Sequence, residues 1–417
     1  MVTVQEAARI LGISPDTIRQ WEKKQLIRSQ KTGDRRKRFE IEQLKRIHNN
    51  FLGKPSNSGE FKILTRPPTA YTAIELFSGC GGMALGFENA GLQTQLLVEC
   101  DRNCTQTLRS NRPQWNVIHE DIAQVNLTEY QHKIDILAGG FPCQAFSYAG
   151  LGKGFADVRG TLFFEFARCV DEVRPKIAIA ENVRGLLKHD SGRTLTTMLE
   201  ILEDLGYRVD YKLLRAQFLD VPQKRERLFL IGVRKDYPIQ PIFPQEKDYT
   251  ISVRAALKDC PPSVGTTYPE HKKKVLELVP PGGYWRDLPL EVQKAYMQKS
   301  FDLGGGKTGM ARRLSWEEPS LTLTCSPAQK QTERCHPQET RPLNIREYAR
   351  IQTFPDDWQF VGSIASQYRQ IGNAVPVNLA YHIGCCAIAI LEGKIDRIDR
   401  RDRNCREAIA SDAISNQ

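Results

Sequence analysis

The chain lacks any run approaching the roughly 18 consecutive apolar residues that a membrane-spanning helix needs. Its first residues, MVTVQEAARILG, have helical spacing without the layout of an export signal, so the expected setting is cytoplasmic, with no membrane partner. Paired Cys-x-x-Cys spacing is missing too. The 11 cysteines are scattered and odd in number, which argues against a disulfide framework and for reduced thiols. Cys325, Cys335 and His336 invite a metal reading, but without a paired motif no metal is expected. Internal repeats and long low-complexity tracts are absent as well. With 40% hydrophobic, 26% charged and 8% aromatic residues among 417, the sequence is neither fibrous nor disordered, and its length suits two or three globular units.

An excess of acid is also wanting: 59 Lys and Arg face 49 Asp and Glu, a net charge of +10. Most of that excess sits in the first 55 residues, where 13 basic residues meet 6 acids. Such a segment is either an electrostatic footprint for a polyanion or a solvated face. The pattern beneath the charge favours the former. Val4, Ala7, Ala8 and Leu11 recur at helical spacing, Gly12 breaks the run, and Ser14-Pro15 opens a second helix. That helix, Asp16 to Gln25, buries Ile18 and Trp21 on one side and offers Thr17, Arg19, Gln20, Lys23 and Lys24 on the other, as a groove-entering helix does. After it, KTGDRRKRF puts a Gly-Asp turn beside four consecutive basic residues, Arg36 and Arg38 among them, and IEQLKRIHN closes the unit as a third helix. A helical protein-docking module is the other reading. Residues 51–69, rich in Gly, Pro and Ser, read as a linker, and 393–417 as a charged tail.

From Thr72 the order is strand, glycine cluster, helix: TAIELFSGCGGMALGFENAG. Gly79, Gly81 and Gly82 let the backbone turn tightly and approach a ligand, or simply make a turn. Two further short strands end in acids, Glu99 after Gln95–Val98 and Glu120-Asp121 after Val117–His119. Ligands of a doubly wound sheet gather beyond the carboxyl ends of its strands, so Glu99 can take ribose hydroxyls and Asp121 an exocyclic amine; either alone is also an ordinary cap. The strand Ile134–Leu137 runs into AGGFPCQAFS, where Cys143 follows Pro in a glycine-rich turn whose amides can stabilise a thiolate. The strand Lys176–Ala180 ends in Glu181-Asn182-Val183, and DVPQKRERLFLIGV puts Gln223, Arg225 and Arg227 before a strand at Leu228–Val233, as an anion clamp or a solvated turn.

This ordered set closely resembles the bacterial DNA cytosine-5 methyltransferases of restriction-modification type, from about Thr72 to Leu391, while residues 1–50 resemble the winged helix-turn-helix of mercury-resistance regulators and excisionases. The resemblance implies an α/β fold with a Rossmann-like S-adenosylmethionine sheet. It gives a catalytic domain over 70–240 and 341–392, a target-recognition domain over 241–340, and the helix-turn-helix ahead of them. It implies that Phe77, Ser78, Gly79, Gly81 and Gly82 hold S-adenosylmethionine, with Glu99 on the ribose, Asp121 on the adenine, and Ile122, Phe141, Pro142 and Leu162 around it. The late blocks RPLNIREYARIQTFPDDW and IGNAVPVNLA bring Asn373 and Val375 back to the cofactor. Catalysis falls on Cys143 as nucleophile and Glu181 as acid, with Arg225 and Arg227. In one departure, many members have Trp after the ribose acid, stacking on adenine, where Cys100 stands here.

Carbon 5 of cytosine is too weak a nucleophile to take a methyl group unaided, and a thiolate adding to carbon 6 activates it while an acid at ring nitrogen 3 offsets the charge. The target must leave the duplex, at a cost of a few kcal/mol that protein contacts offset. Within 241–340, Thr322 of Ser320-Leu321-Thr322-Leu323 resembles the family's element near the DNA backbone. Gln223 is assigned to the DNA as well, and Lys307, Arg312 and Arg313 can meet phosphate or guanine, although loop bases are usually solvated. The expected partners are double-stranded DNA, met as a monomer close to the nucleoid, and a cognate restriction endonuclease. A carbon-5 RNA methyltransferase, and a regulator whose larger part only senses the cofactor, are the competing readings.

Overall fold

The computed structural model describes residues 2–11, 15–23, 27, 29–31, 37–41, 43–44, 57–142, 162–302 and 308–394. The amino-terminal unit opens with β1 (Val2–Thr3), α1 (Val4–Leu11), α2 (Pro15–Lys23), β2 (Ser29–Lys31) and β3 (Lys37–Phe39). The strands pair antiparallel in the order β1-β3-β2. Ala7, Ala8, Ile18, Trp21, Ile27, Phe39 and Leu44 form a small closed core of their own, so the apolar stripes read from the sequence do face inward.

A strand β4 (Asn57–Ser58) leads into the larger body. There β5 (Thr72–Leu76), α3 (Gly82–Asn89), β6 (Gln93–Glu99), α4 (Arg102–Asn111), β7 (Val117–His119) and β8 (Ile136–Gly139) alternate. α5 (Leu162–Val173), β9 (Ile177–Val183), α6 (Arg193–Asp204) and β10 (Tyr207–Arg215) follow, then β11 (Gln223–Lys224) and β12 (Glu226–Arg234). Seven of these strands make one sheet in the order β10-β12-β9-β8-β5-β6-β7. β5 to β9 are parallel, and β12 is antiparallel to both its neighbours.

The central strands are buried on both faces, which explains their unbroken apolar runs. Phe163, Phe166 and Val170 of α5 with Met198 and Leu202 of α6 cover one face. Met83 and Phe87 of α3 with Leu379, Ile383 and Ile388 cover the other. From β5 the chain winds outward through β6 and β7 on one side and through β8 and β9 on the other. The order therefore reverses between β5 and β8, and a crevice opens there beyond the strand ends.

Residues 57–69 are not the free linker that their composition suggests. Gly59 N donates to Thr250 O at 2.9 Å, joining β4 to β13 (Tyr249–Thr250). The Asn378 amide grips Leu64 N at 3.0 Å and Lys62 O at 2.9 Å, and Thr69 N donates to Gly91 O at 2.7 Å. This strap is laid along the larger body by partners as much as 316 residues distant in sequence, which composition cannot reveal.

The region 241–340 divides. Val253 and Ala256 of α7 (Val253–Leu257) pack in the core that holds Tyr348, Phe354 and Trp358, so its first part belongs to the larger body. A separate core gathers Tyr268, Leu276, Val279, Trp285, Leu288, Met297, Met310, Ala311 and Cys335, around α8 (Glu270–Glu277) and α9 (Leu290–Met297). β14 (Ser320–Leu321) ties this smaller body back by pairing with β11. The chain then returns through α10 (Ile345–Ile351), α11 (Ile364–Asn373) and α12 (Val377–Leu391). Ile364–Leu391 is long and apolar enough to cross a membrane by length and composition, unlike any single apolar run read from the sequence. Pro376 interrupts it, and Leu379, Ile383, Ile388 and Ile390 of α12 are buried in the core against the sheet.

Candidate active site

The crevice is lined first by the turn after β5. Phe77, with φ 57°, and Gly79 and Gly81, with φ 53° and 89°, lie in the left-handed region, strained for the phenylalanine. At Gly82 a Cβ would stand 2.2 Å from Val375 O, so only glycine lets the last block of the chain close against the start of α3. Glu99, at the end of β6, fixes the turn: Oε2 accepts from Gly79 N and Oε1 from Asp101 N, both at 2.7 Å. Asp121 is exposed at the end of the β7 segment and caps the next turn through Ala123 N at 3.0 Å. Ser78 and Ile122 are buried nearby, Leu162 is half-buried, and Phe141 meets Phe77 edge to face at 6.3 Å. Cys100 is exposed beside Glu99, and burial of its flank pushes the thiol up.

The strand-end pattern also held an acid that the sequence reading passed over. Glu75, buried beneath the glycine turn, leaves Oε2 without a hydrogen-bond partner among the described residues. Burial raises its carboxyl well above the usual range despite a bond from the Ala84 amide, and Glu99 and Glu181 push it the same way. Beside this acid cluster, Gly79 has open space where a side chain would project. Three carboxyls around one crevice, Glu75, Glu99 and Glu181, one of them with an oxygen lacking a partner among the described residues, fit a ligand carrying positive charge and hydroxyls, as S-adenosylmethionine does with its sulfonium, ammonium and ribose.

Across the switch point lies the second half of the site. Glu181 Oε1 is 2.8 Å from Arg227 Nε, and both side chains are nearly buried. Burial raises the Glu181 carboxyl; the Arg227 and Arg225 charges pull it down and do not overcome burial. Burial likewise lowers the Arg227 guanidinium. The low-dielectric setting thus works against charge on both partners. A Cβ at Gly140 would stand 3.0 Å from Glu181 Oε2, so the carboxyl lies against the backbone entering the Phe141-Pro142 turn. Asn182, unassigned from the sequence, donates from Nδ2 to Phe141 O at 3.1 Å and holds that turn to β9. Cys143, which follows, lies outside the described residues, as do Lys24, Arg36, Lys307 and the tail from 395.

Three expected contacts turn out to be internal. Arg225, read as catalytic, is 1% exposed; it donates to Leu323 O at 3.2 Å and to Gly372 O at 3.1 Å, so it joins elements and touches no open surface. Gln223, read as a DNA contact, is fully buried and bonded to Gln352 Oε1 at 2.7 Å and Leu323 N at 2.8 Å. Arg313, also assigned to DNA, is buried and holds Val279 O, Leu276 O and His336 O. Each would have to leave backbone partners to meet a base or phosphate. The Thr322 hydroxyl, half-buried, donates to Lys224 O at 2.8 Å. Arg312 is half-buried over the Tyr284 ring at 5.8 Å. Asn373 is exposed and takes the Cys325 thiol at 3.0 Å, while Val375 is buried. In the amino-terminal unit Ile18 and Trp21 face inward, Gln20 and Arg19 outward, with Arg19 paired to Asp16; Thr17 and Arg38 are half-buried and Lys23 ends α2.

Comparison with known proteins agrees with this architecture. Residues 71–387 match the C-5 cytosine-specific DNA methylases, and residues 3–39 the MerR family of regulatory proteins. The type II methyltransferase M.Eco47II of Escherichia coli is 54% identical over 411 residues, covering 96% of this chain and 97% of its own. M.PspPI of Psychrobacter sp. (strain TA137) is 56% identical over 340 residues, covering 79% and 82%. Among solved structures, a prophage-encoded DNA modification methyltransferase of E. coli superposes with a TM-score of 0.56 at 23% identity, over 78% of this chain and all of that one. Spodoptera frugiperda DNMT2 does so with 0.56 at 16%, over 76% of this chain, and both show the shared fold. The chain belongs to the C-5 cytosine-specific DNA methylase family: it is an S-adenosylmethionine-dependent DNA methyltransferase of restriction-modification type, acting on cytosine carbon 5 in the cytoplasm, with a MerR-like helix-turn-helix at its amino end.

Proposed function

We propose that Cys143 supplies the thiolate for this reaction and Glu181 the proton. The sulfur adds to carbon 6 of an extruded cytosine, the 5,6 double bond gives up its electron pair towards carbon 5 and the ring, and Glu181 donates at nitrogen 3 as that charge develops. Bound S-adenosylmethionine supplies the methyl group that carbon 5 takes up. Loss of the carbon-5 proton to water then returns an electron pair that expels the thiolate and restores the double bond, while nitrogen 3 gives its proton back to Glu181. Arg227 holds Glu181 in place and limits how far its pKa rises. Arg225 and Asn182 position the strand end and the Phe141 turn. Glu99 holds the ribose and Asp121 the adenine amine. Phe77, Ser78, Gly79, Gly81, Gly82, Ile122, Phe141, Pro142, Leu162, Asn373 and Val375 make up the rest of the cofactor wall.

The observation that carries this reading is the position of Glu181: one oxygen is 2.8 Å from Arg227, and the other lies against Gly140, three residues ahead of Cys143 in the chain. A buried acid whose pKa is raised gives up its proton at higher pH than a free carboxyl does, which suits a proton donor. Duplex DNA carrying 5-fluorocytosine tests it, because carbon 5 then has no proton to lose. A covalent complex stable to denaturant and mapped to the Cys143 peptide is expected; an adduct elsewhere, or none, sinks the assignment.

The smaller body serves as target-recognition domain, and the enzyme meets DNA as a monomer near the nucleoid, beside a cognate endonuclease of the same sequence specificity. Residues 1–50 bind DNA in their own right, through Thr17, Arg19, Gln20, Lys23, Arg36 and Arg38, to aid docking or to repress the enzyme's own gene. Methylation and promoter occupancy both unchanged on deleting them would remove that role.

A further inference from the structure

Asp220 stands where a glycine would fit more easily. It follows the short helical turn 216–218 after β10, its φ of 57° lies in the left-handed region that costs any residue with a side chain, and it is buried. Such an outlier persists where the side chain is put to use. Both carboxylate oxygens are engaged. Oδ1 accepts from the Tyr249 hydroxyl at 2.5 Å and Oδ2 from Lys247 Nζ at 2.5 Å, with His382 Nε2 at 2.8 Å from the same oxygen. Burial raises this carboxyl, but the bonds from His382, Lys247 and Tyr249 together hold it well below the usual carboxylate range, so it stays charged.

Segments distant in sequence meet at this residue. Asn378 and His382 lie one turn apart on the same face of α12. Asn378 Nδ2 donates to Asp220 O at 2.8 Å, and the same side chain holds Lys62 O and Leu64 N of the strap. Tyr249, in β13, lies against the strap as well, since a Cβ on Gly59 would stand 2.5 Å from its ring. Asp220 and the strap thus grip α12 from one side. Its other side presses on α3 backbone to backbone: a Cβ on Gly86 would stand 2.4 Å from Ala380 Cβ and 2.5 Å from Val377 O. Val375, just ahead of α12, meets Gly82 of the glycine turn equally closely. The seating of α12 therefore sets how tightly 373–375 closes on that turn.

We propose that Asp220 is a positioning residue for the methyl-donor crevice: with Asn378 and His382 it seats α12 and the strap 57–64, and so holds Asn373 and Val375 against the glycine turn. This rests on the cofactor role proposed for those two residues. The test uses the full-length protein, with S-adenosylhomocysteine affinity measured by calorimetry without DNA and steady-state methylation of duplex DNA beside it. Asp220→Gly accommodates the backbone and removes the carboxylate. The dissociation constant and the KM for S-adenosylmethionine should each rise by roughly 10-fold, while kcat at saturating cofactor stays within about 3-fold, because Glu181 and Arg227 are untouched. Asp220→Asn, which keeps one acceptor oxygen, should recover part of the affinity. Leu64→Pro removes the amide that Asn378 Oδ1 accepts from and should weaken cofactor binding in the same direction. A lower melting temperature with unchanged cofactor affinity in Asp220→Gly would mean a scaffold role only and overturn the proposal, as would a fall in kcat alone. Should Asp220→Gly fail to fold, Leu64→Pro decides by the same readout, and unchanged affinity there overturns it. Asn373→Ala with Val375→Ala binding the cofactor as wild type does would instead refute the placement of the cofactor beside that block, which is a separate result.

Discussion

Where the carboxyl end of β9 meets the amino end of β12, both expected arginines already have partners inside the protein: Arg227 meets Glu181, and Arg225 bridges Leu323 and Gly372. In the smaller body, Arg312 rests on the Tyr284 ring and, among the described residues, has no hydrogen-bond partner at Nε, as is also true of Arg225 Nε; it lies one residue from Arg313, which is bonded through Nε and both terminal nitrogens. On the roles proposed above, the difference follows from what each region does. Chemistry needs groups fixed before substrate arrives, because an acid displaced by an ångström loses much of its effect. Recognition needs donors left open, because a donor satisfied internally has nothing to offer a base, and a missing partner then penalises the wrong sequence.

Breaking the catalytic half gives the largest effects. Cys143→Ala is expected to abolish tritiated-methyl transfer to duplex DNA and to trap no 5-fluorocytosine complex; transfer at the wild-type rate would remove the thiol from the mechanism. Glu181→Gln keeps shape and loses the acid, and single-turnover rates should fall about 10²- to 10⁴-fold, with the affinity for S-adenosylhomocysteine little changed. A matching loss of cofactor affinity would mean that Glu181 acts on the other half of the crevice.

The arginines sharpen the contrast directly. Arg225→Met deprives the Leu323 and Gly372 carbonyls of their donor, at about 1–3 kcal/mol each, and urea denaturation should register it. Among the described residues Arg312→Gln removes a ring contact and no hydrogen bond, so its cost should stay within about 1 kcal/mol. Equal losses would erase the distinction between fixed and open arginines. The smallest effect belongs to the amino-terminal unit: Gln20→Ala with Arg19→Ala should weaken DNA binding modestly and reduce the salt dependence by about one counterion. An unchanged salt slope would leave that helix off the DNA.

Much of the catalytic half was legible because strand, turn and acid follow one another locally. The glycine turn, Glu99, Asp121 and Glu181 are all read from a short apolar run and the residue that ends it. Glu75 obeys the same pattern and was passed over only because glycines draw attention to the turn after it. The rest was hidden by long-range packing. Nothing near Gln223 in the sequence reveals that Gln352 and Leu323 enclose it. Nothing in KTGMARRLSW says which of two adjacent arginines faces inward, since that depends on the pairing of 282–285 with 310–314. Composition marked 57–69 as loose, whereas Asn378 pins it.

The central claim is that burial raises the pKa of Glu181 against the pull of Arg227, so that it serves as the proton donor. Single-turnover methylation measured against pH tests it most directly. The rate should rise as the thiol ionises and fall again as pH passes the raised Glu181 pKa, since only the protonated acid donates. In Arg227→Leu, with the lowering charge gone and burial unopposed, that falling limb should move to higher pH. A wild-type profile with no falling limb, or a limb that moves to lower pH in the variant, would contradict the account.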